Sequence, residues 1–240
     1  TWSIVSGPSN GTLGGFDTTD TSTGGAVTPT GLTYTSNADY NGTDSFTIQI
    51  SDGTVTDTID VTMTIDPTND AVTFDNGATA GLTINEDSGA ADITSLLTAS
   101  DIDVGDTLTW SIVSGPSNGT LGGFDTTDTS TGGAVTPTGL TYTSNADYNG
   151  TDSFTIQISD GTVTDTIDVT MTIDPTNDAV TFDNGATAGL TINEDSGAAD
   201  ITSLLTASDI DIGDTLTWSI ISGPSNGSLG GFDATDTSTG

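Results

Sequence analysis

Apolar residues alternate with Thr, Ser and Asp through most of the chain, and the alternation has the period of two that marks half-buried strands. TLTWSI (residues 107–112) sets Leu108, Trp110 and Ile112 on one face. SFTIQI (153–158) does the same with Phe154, Ile156 and Ile158. TIDVTMTI (166–173) does it with Ile167, Val169, Met171 and Ile173, and GLTYT (139–143) with Leu140 and Tyr142. Turn-forming pairs separate these runs: Asn76-Gly77, Asn118-Gly119, Asn149-Gly150 and Asp160-Gly161. ADITSLLTAS (91–100) fits either a short helical turn or an irregular strand.

The pattern is periodic on a longer scale. The segment that begins at Thr1 with TWSIVSGPSNG returns at Thr109 and again at Thr217, a shift of 108 residues, with a few conservative changes such as Val104 against Ile212 and Thr120 against Ser228. A unit of this length is a domain rather than one turn of a solenoid. About seven short strands in it predict an all-β fold: tandem Greek-key β-sandwich domains of the cadherin-like or immunoglobulin-like kind. IDPTNDA occurs at 65–71 and 173–179, and its Pro and Asn break the strand pattern. The expected organisation is the back part of a repeat at 1–66, a linker at 67–70, a complete repeat at 71–174, a linker at 175–178, and the front part of a further repeat at 179–240. Such an array is expected to be a window on a longer chain.

Charge changes the picture. Thirty-four acids, all but Glu86 and Glu194 being Asp, face no Lys, Arg or His, for a net charge of −34. Self-repulsion on this scale opposes compaction unless counter-ions bind. Nucleic acid is excluded as a partner, since phosphate contacts need basic residues, and docking on anionic lipid is disfavoured. No run is apolar enough to span a bilayer, so direct membrane insertion is not expected. Without Cys or His there are no disulfides, no thiolate or imidazole zinc sites and no histidine acid–base chemistry. An enzyme is therefore not expected.

The acids cluster. NED (85–87) closes the first strand of the repeat, DIDVGD (101–106) precedes TLTWSI, NADYNGTD (145–152) precedes SFTIQI, and DPTND (174–178) is the linker. Counting strand reversals from residue 71 sends all four clusters to the end of the repeat beside the following linker, with the Asp160-Gly161 hairpin pointing the other way. Carboxylates gathered in a partly dry junction need a cation. Calcium suits them, because it takes six to eight hard oxygen ligands from carboxylates, Asn side chains and carbonyls. The candidate ligands are Asp66, Asn69, Asp70, Glu86, Asp87, Asp101, Asp103, Asp106, Asp147, Asp152, Asp174, Asn177, Asp178, Glu194, Asp195, Asp209, Asp211 and Asp214. The alternative for DIDVGD is a solvated turn whose Asp side chains bond backbone N–H groups. LGGFD (121–125) brushes against a glycine-rich calcium nonapeptide but does not iterate.

At these residues the chain resembles a known family. DPTND resembles the Asp-x-Asn-Asp-Asn linker of cadherins, and the repeat as a whole is similar to the cadherin-like and immunoglobulin-like repeats of giant secreted bacterial adhesins. Glu86-Asp87, Asp101-Ile102-Asp103, the run from Asn149 to Phe154, and Ser159-Asp160-Gly161 carry the likeness. It implies calcium between domains, an extracellular or cell-surface location on a prokaryote, and a stalk or fibre role. Three features depart from cadherins, one being that the strand count sets Asp101 and Asp103 at the end of the repeat opposite to that of the cadherin Asp-x-Asp. Ala71 and Ala179 stand where the last linker Asn would be, and the Asp-Arg-Glu motif has no counterpart. The expected function is a calcium-stiffened structural rod or filament, with neighbouring repeats and further copies of the chain as partners. The alternative is an adhesive module whose repeated loops recognise a glycan or protein.

Overall fold

The computed structural model describes residues 1–15, 17–123, 126–231 and 234–239. The Phe124 and Asp125 end of LGGFD lies outside them. The protein is all-β, its only helical pieces being single 3-10 turns at Thr94–Leu97 and Thr202–Leu204 among the described residues.

The stretch that follows the first linker forms a two-layer sandwich. One layer is a five-stranded sheet in the order Thr127–Thr129, Thr107–Ser114, Gly150–Ser159, Thr164–Asp174, Thr79–Asn85. Facing it are two three-stranded sheets, one of Gly119–Gly122, Thr141–Ser144 and Ala91–Asp92, the other of Ala134–Val135, Ala99–Ser100 and Thr73–Phe74. The long hairpin Gly150–Ser159/Thr164–Asp174 is in register over ten pairs, from Gly150↔Ile173 to Ser159↔Thr164. Its inward residues Phe154, Ile156, Ile158, Ile167, Val169, Met171 and Ile173 are all at most 2% exposed, as the alternation predicts. Each buried aliphatic or aromatic side chain contributes about 1.5–3 kcal/mol relative to exposure. From the other layer Leu140, Tyr142, Ile93 and Leu97 close the core, and the Trp110 indole N–H donates to the Leu97 carbonyl at 3.3 Å. Ile112 departs from the pattern. The ladder slips between Ile112 and Ser114, and Ile112 is left 46% exposed.

One strand direction differs from the count made on sequence, and it relocates an acidic cluster. ADITSLLTAS is neither of its two alternatives alone. It is a short strand (Ala91–Asp92), a 3-10 turn (Thr94–Leu97) and a second short strand (Ala99–Ser100). Asp92 starts the turn by accepting from the Thr94 N–H at 2.9 Å and its hydroxyl at 2.7 Å. This leg returns the chain to the start of the repeat before Thr107–Ser114 begins. That strand therefore runs the same way as Thr79–Asn85. The latter lies parallel to Thr164–Asp174, which with Thr107–Ser114 flanks the antiparallel Gly150–Ser159. DIDVGD consequently lies at the opposite end from NED, NADYNGTD and DPTND.

The same pairings recur around this sandwich. Residues 1–66 form a three-stranded sheet, Trp2–Ser6, Gly42–Ser51 and Thr56–Ile65, with the hairpin again in register over ten pairs. Among the described residues of 179–239 the pairings are two-stranded, Thr181–Phe182 with Ala207–Ser208 and Thr215–Thr217 with Thr235–Thr237.

Candidate metal centre

Because DIDVGD opens at the start of its repeat, it meets the linker that precedes it. The Asp70 N–H donates to Asp103 Oδ2 at 2.6 Å, and 108 residues later the Asp178 N–H donates to Asp211 Oδ2 at the same distance. Each linker is thus tied to the acidic loop of the repeat that follows.

At the first linker, Asp101 is the central residue. It is 2% exposed. Its Oδ1 accepts from the Asp103 N–H at 3.0 Å, and its Oδ2 is buried with no hydrogen-bond partner among the described residues. Burial pushes its carboxyl up from the ordinary value; the Asp103 N–H works the other way, and the charges of Asp103, Asp106 and Asp160 raise it further. Asp160 is the residue that the sequence reading left out of the ligand set. It sits in the Asp160-Gly161 hairpin, where its Oδ1 accepts from the N–H of Thr162 at 2.7 Å and Val163 at 2.6 Å. Its Oδ2 accepts from Asn69 Nδ2 at 3.2 Å. The signal was present, since that hairpin was expected to point at the preceding repeat. Asp39 was also left out. It lines a crevice with Asp66, Asp70 and Asp103, and the 108-residue shift makes it the counterpart of Asp147.

At the second linker the other half of the arrangement is seen. Carboxylate oxygens of Glu86, Asp178 and Asp211 lie within 4.8 Å of one another, as do those of Asp87, Asp147 and Asp178. Glu86 is buried, and its Oε1 accepts from the Thr176 N–H at 2.6 Å. Its own N–H donates to the Asp174 carbonyl at 2.9 Å, and its Oε2 lies 3.5 Å from Asn149 Nδ2. The Asp147 N–H donates to Asp87 Oδ1 at 3.3 Å. Both residues hold left-handed backbone, φ 56° in each, which is uncommon outside glycine. Burial pushes the Asp178 carboxyl up, and Asp147, Asp211, Asp87 and Glu86 add to it in that order. Asp147, Asn177, Asp211 and Asp214 line one crevice of about 680 Å³. Asp209, the counterpart of Asp101, is buried, and its Oδ1 accepts from the Asp211 N–H at 3.2 Å. Asp106 lines the equivalent crevice at the first linker, together with Asn69 and Asp103.

The remaining candidates lie elsewhere. Glu194 and Asp195 are exposed, and neither belongs to a gathered group of acids among the described residues. Asp152 is 5% exposed, yet its carboxylate is already filled: it accepts from the N–H groups of Ser117, Asn118 and Ser153, each at 2.9 Å, and from the Tyr142 hydroxyl at 3.0 Å. Burial opposes its charge, but these four donors outweigh burial and hold the carboxyl below its ordinary value. Asp44 carries the same set, from Ser9, Asn10, Ser45 and Tyr34.

The donor set is all oxygen, acidic and partly buried, and it leaves one buried carboxylate oxygen unpaired. Those features fit a hard divalent cation. Transition metals that favour imidazole or thiolate have no such ligand here.

Residues 3–64 and 69–172 match the model of the bacterial Ig domain. The chain belongs to that family, a non-catalytic kind of domain, and repeats it in tandem. No curated protein matches the chain. Among solved structures it is similar to extracellular cadherin domains 1–4 of protocadherin gamma B7, at 16% identity over 91% of this chain and 53% of that one, with a TM-score of 0.46. It is also similar to an endo-fucoidan hydrolase of glycoside hydrolase family 107, at 23% identity over 73% of this chain and 23% of that one, with a TM-score of 0.33. Domains 4–9 of the surface layer protein SbsC give 14% identity over 85% and 31%, with a TM-score of 0.31. The chain thus spans about a quarter of the hydrolase and about half of the protocadherin fragment. No helix among the described residues is long and apolar enough to cross a membrane.

Proposed function

We propose that this chain is a structural extracellular repeat protein of a bacterial surface, a rod of Ig-like domains stiffened by calcium between them. The observation that carries the reading is Asp101, a buried carboxylate with one oxygen unpaired beside Asp103, Asp106 and Asp160 in a protein with no basic side chain. An unpaired buried acid costs several kcal/mol unless it is neutralised or meets a cation.

On this reading one ligand group is Asn69, Asp101, Asp103 and Asp160, and the other is Glu86, Asp87, Asp147, Asp178 and Asp211. Asp39, Asp66, Asp70, Asp106, Asp174, Asn177, Asp209 and Asp214 lie around them, while Glu194 and Asp195 are the repeat counterparts of Glu86 and Asp87. Asp152 is left out, because its lone pairs are taken. The repeat boundaries fall at the two linkers, 67–70 and 175–178. Calcium held by carboxylates from both sides of a linker converts a hinge into a strut, so that binding and stiffening are one free energy. Near-identical loops in successive copies support a repeated mechanical task over recognition of varied targets. Rods of this kind join into filaments through further copies of the chain.

Elemental analysis and calcium titration calorimetry on the purified polypeptide test the reading. Tight binding of more than one calcium per chain is expected. Heat no larger than that of dilution into the acidic surface would refute it.

A further inference from the structure

The sandwich holds three Asn-Gly pairs, and the fold accounts for two of them. At Asn76-Gly77 the glycine has a left-handed φ of 73°, and the Asn76 amide donates to the Leu96 carbonyl at 3.0 Å. At Asn149-Gly150 the glycine has a φ of 130°, and the Asn149 amide turns to Glu86. Asn118-Gly119 differs. Neither residue has a positive φ, so this pair is not the left-handed turn that Asn-Gly usually marks. Packing requires Gly119, since a Cβ there would come within 2.6 Å of the Tyr142 ring. The Asn118 backbone is fixed, its N–H donating to Asp152 Oδ2 at 2.9 Å and its carbonyl accepting from the Asn145 N–H at 2.8 Å. Its half-buried side-chain amide has no hydrogen-bond partner among the described residues. Asn10, its counterpart one repeat earlier, has the same two backbone bonds and the same unused amide. Thr120 is exposed, and its hydroxyl is likewise without a partner among the described residues.

Asn118-Gly119-Thr120 is an acceptor sequence for N-glycosylation, Asn-x-Thr. We propose that Asn118 carries an N-linked glycan, transferred from an oligosaccharide held on a polyprenyl diphosphate. Asn118 Nδ2 bonds to the sugar C1, the bond from C1 to the diphosphate oxygen breaks, and one amide proton is released with the diphosphate. At 226–228 the sequence is Asn-Gly-Ser, so one of the few differences between repeats keeps the acceptor hydroxyl. The place explains what the sugar does. Gly119–Gly122 is the outer strand of its sheet. On the facing sheet Thr107–Ser114 pairs with Thr127–Thr129 only from Thr107 to Thr109, and the Trp110 N–H then bonds the Thr126 carbonyl. Beyond Trp110 no strand among the described residues covers that side, and Ile112 and Val113 are 46% and 58% exposed. Residues 115–118 join these two open edges. Proteins often block such edges with Lys, and this chain has none. A hydrated glycan at the joint keeps both edges from pairing with another chain. The proposal rests on the extracellular part of the reading above, because the transfer takes place on exported chains.

A protease that cuts before Asp separates the two acceptor sequences of the repeat, releasing 106–124 with Asn118 and 147–151 with Asn149. Mass spectrometry is applied to the full chain taken from the surface and interior fractions of the cells that make it. Peptide 106–124 is expected to be heavier by an oligosaccharide, with fragment ions placing it on Asn118, and 147–151 to be bare. Asn118→Gln and Thr120→Val should each return 106–124 to its bare mass, while Thr120→Ser should keep the sugar. Neither side chain makes a hydrogen bond among the described residues, so the fold is not at stake. A bare 106–124 from the surface fraction, sugar that persists in Asn118→Gln, or sugar on 147–151 would overturn the proposal and leave the rod reading standing. A chain found only inside the cell would overturn the extracellular reading and this proposal with it. Calorimetry alone decides the calcium reading.

Discussion

The Asp178 backbone N–H sits 2.6 Å from Asp211 Oδ2, a hydrogen bond from linker to loop that is repeated between Asp70 and Asp103. It draws two acids together where repulsion should part them, and Asp178 is pushed up by this crowding on top of burial. The bond uses one oxygen of each loop acid and leaves its charge for a cation.

Substituting those loop acids separates the two roles. In Asp103→Asn and Asp211→Asn the amide oxygen can still accept from the linker N–H, but the charge is gone. Calcium affinity is expected to fall about tenfold or more, roughly 1.4 kcal/mol, in titration calorimetry. Asp57→Asn, on an exposed strand of the first sheet, should leave it unchanged. Unaltered isotherms for the loop variants would show that the ligands are elsewhere.

Chelation should act on stability and shape together. A site saturated a hundredfold above its Kd adds about 2.7 kcal/mol, so EDTA should lower the melting temperature by several degrees. Small-angle scattering in EDTA should show a broader spread of chain dimensions as the linkers loosen. Melting curves and scattering profiles indifferent to chelator would count against the metal.

Asp152 should behave as a structural acid. Asn at 152 keeps one acceptor oxygen but sets an amide N–H₂ against backbone donors, so Asp152→Asn is expected to cost about 1–3 kcal/mol. Tyr142→Phe removes a single donor and should cost about 1 kcal/mol. Neither should change calcium affinity. Parallel denaturant and calorimetric titrations distinguish this from a ligand role, which would show up as lost affinity.

The strands of the sandwich were legible because alternation is a local property. Phe154 to Ile158 and Ile167 to Ile173 point inward as their spacing predicts. The position of DIDVGD was not legible, because it depends on the direction of a neighbouring element. ADITSLLTAS has too short an alternation to read as a strand, yet it carries the chain back along the sandwich, so that Thr107–Ser114 runs opposite to the count and DIDVGD changes ends while NADYNGTD and DPTND do not. Asp152 and Asp160 show the complementary limit. Both are Asp beside turns, and only tertiary contacts separate a carboxylate saturated by N–H and O–H donors from one with an oxygen turned to a neighbouring linker's Asn69. The unpaired oxygen of Asp101 has no sequence signature at all.

Acid should have opposite effects with and without calcium. Asp101 and Asp178 have folded-state carboxyls above the ordinary value of about 3.9, so the native state holds their protons more tightly than the unfolded chain does. By linkage, stability then rises as pH falls through the raised values, and the gain is complete below the ordinary value. Asp152 and Asp160 are held low. Their contribution is present above the ordinary value and is lost as pH falls through their depressed folded values. In EDTA the melting temperature should therefore climb from pH 7 into the mildly acidic range, then fall at lower pH as Asp152 and Asp160 protonate. In calcium it should fall from the start of the acid titration, because protons displace the ion from the same oxygens. Thermal melts from pH 7 to pH 3 in the two buffers give the comparison. A melting temperature in EDTA that only declines as pH is lowered would mean that the junction acids are not strained by one another, and the case for a cation between the repeats would lose its physical basis.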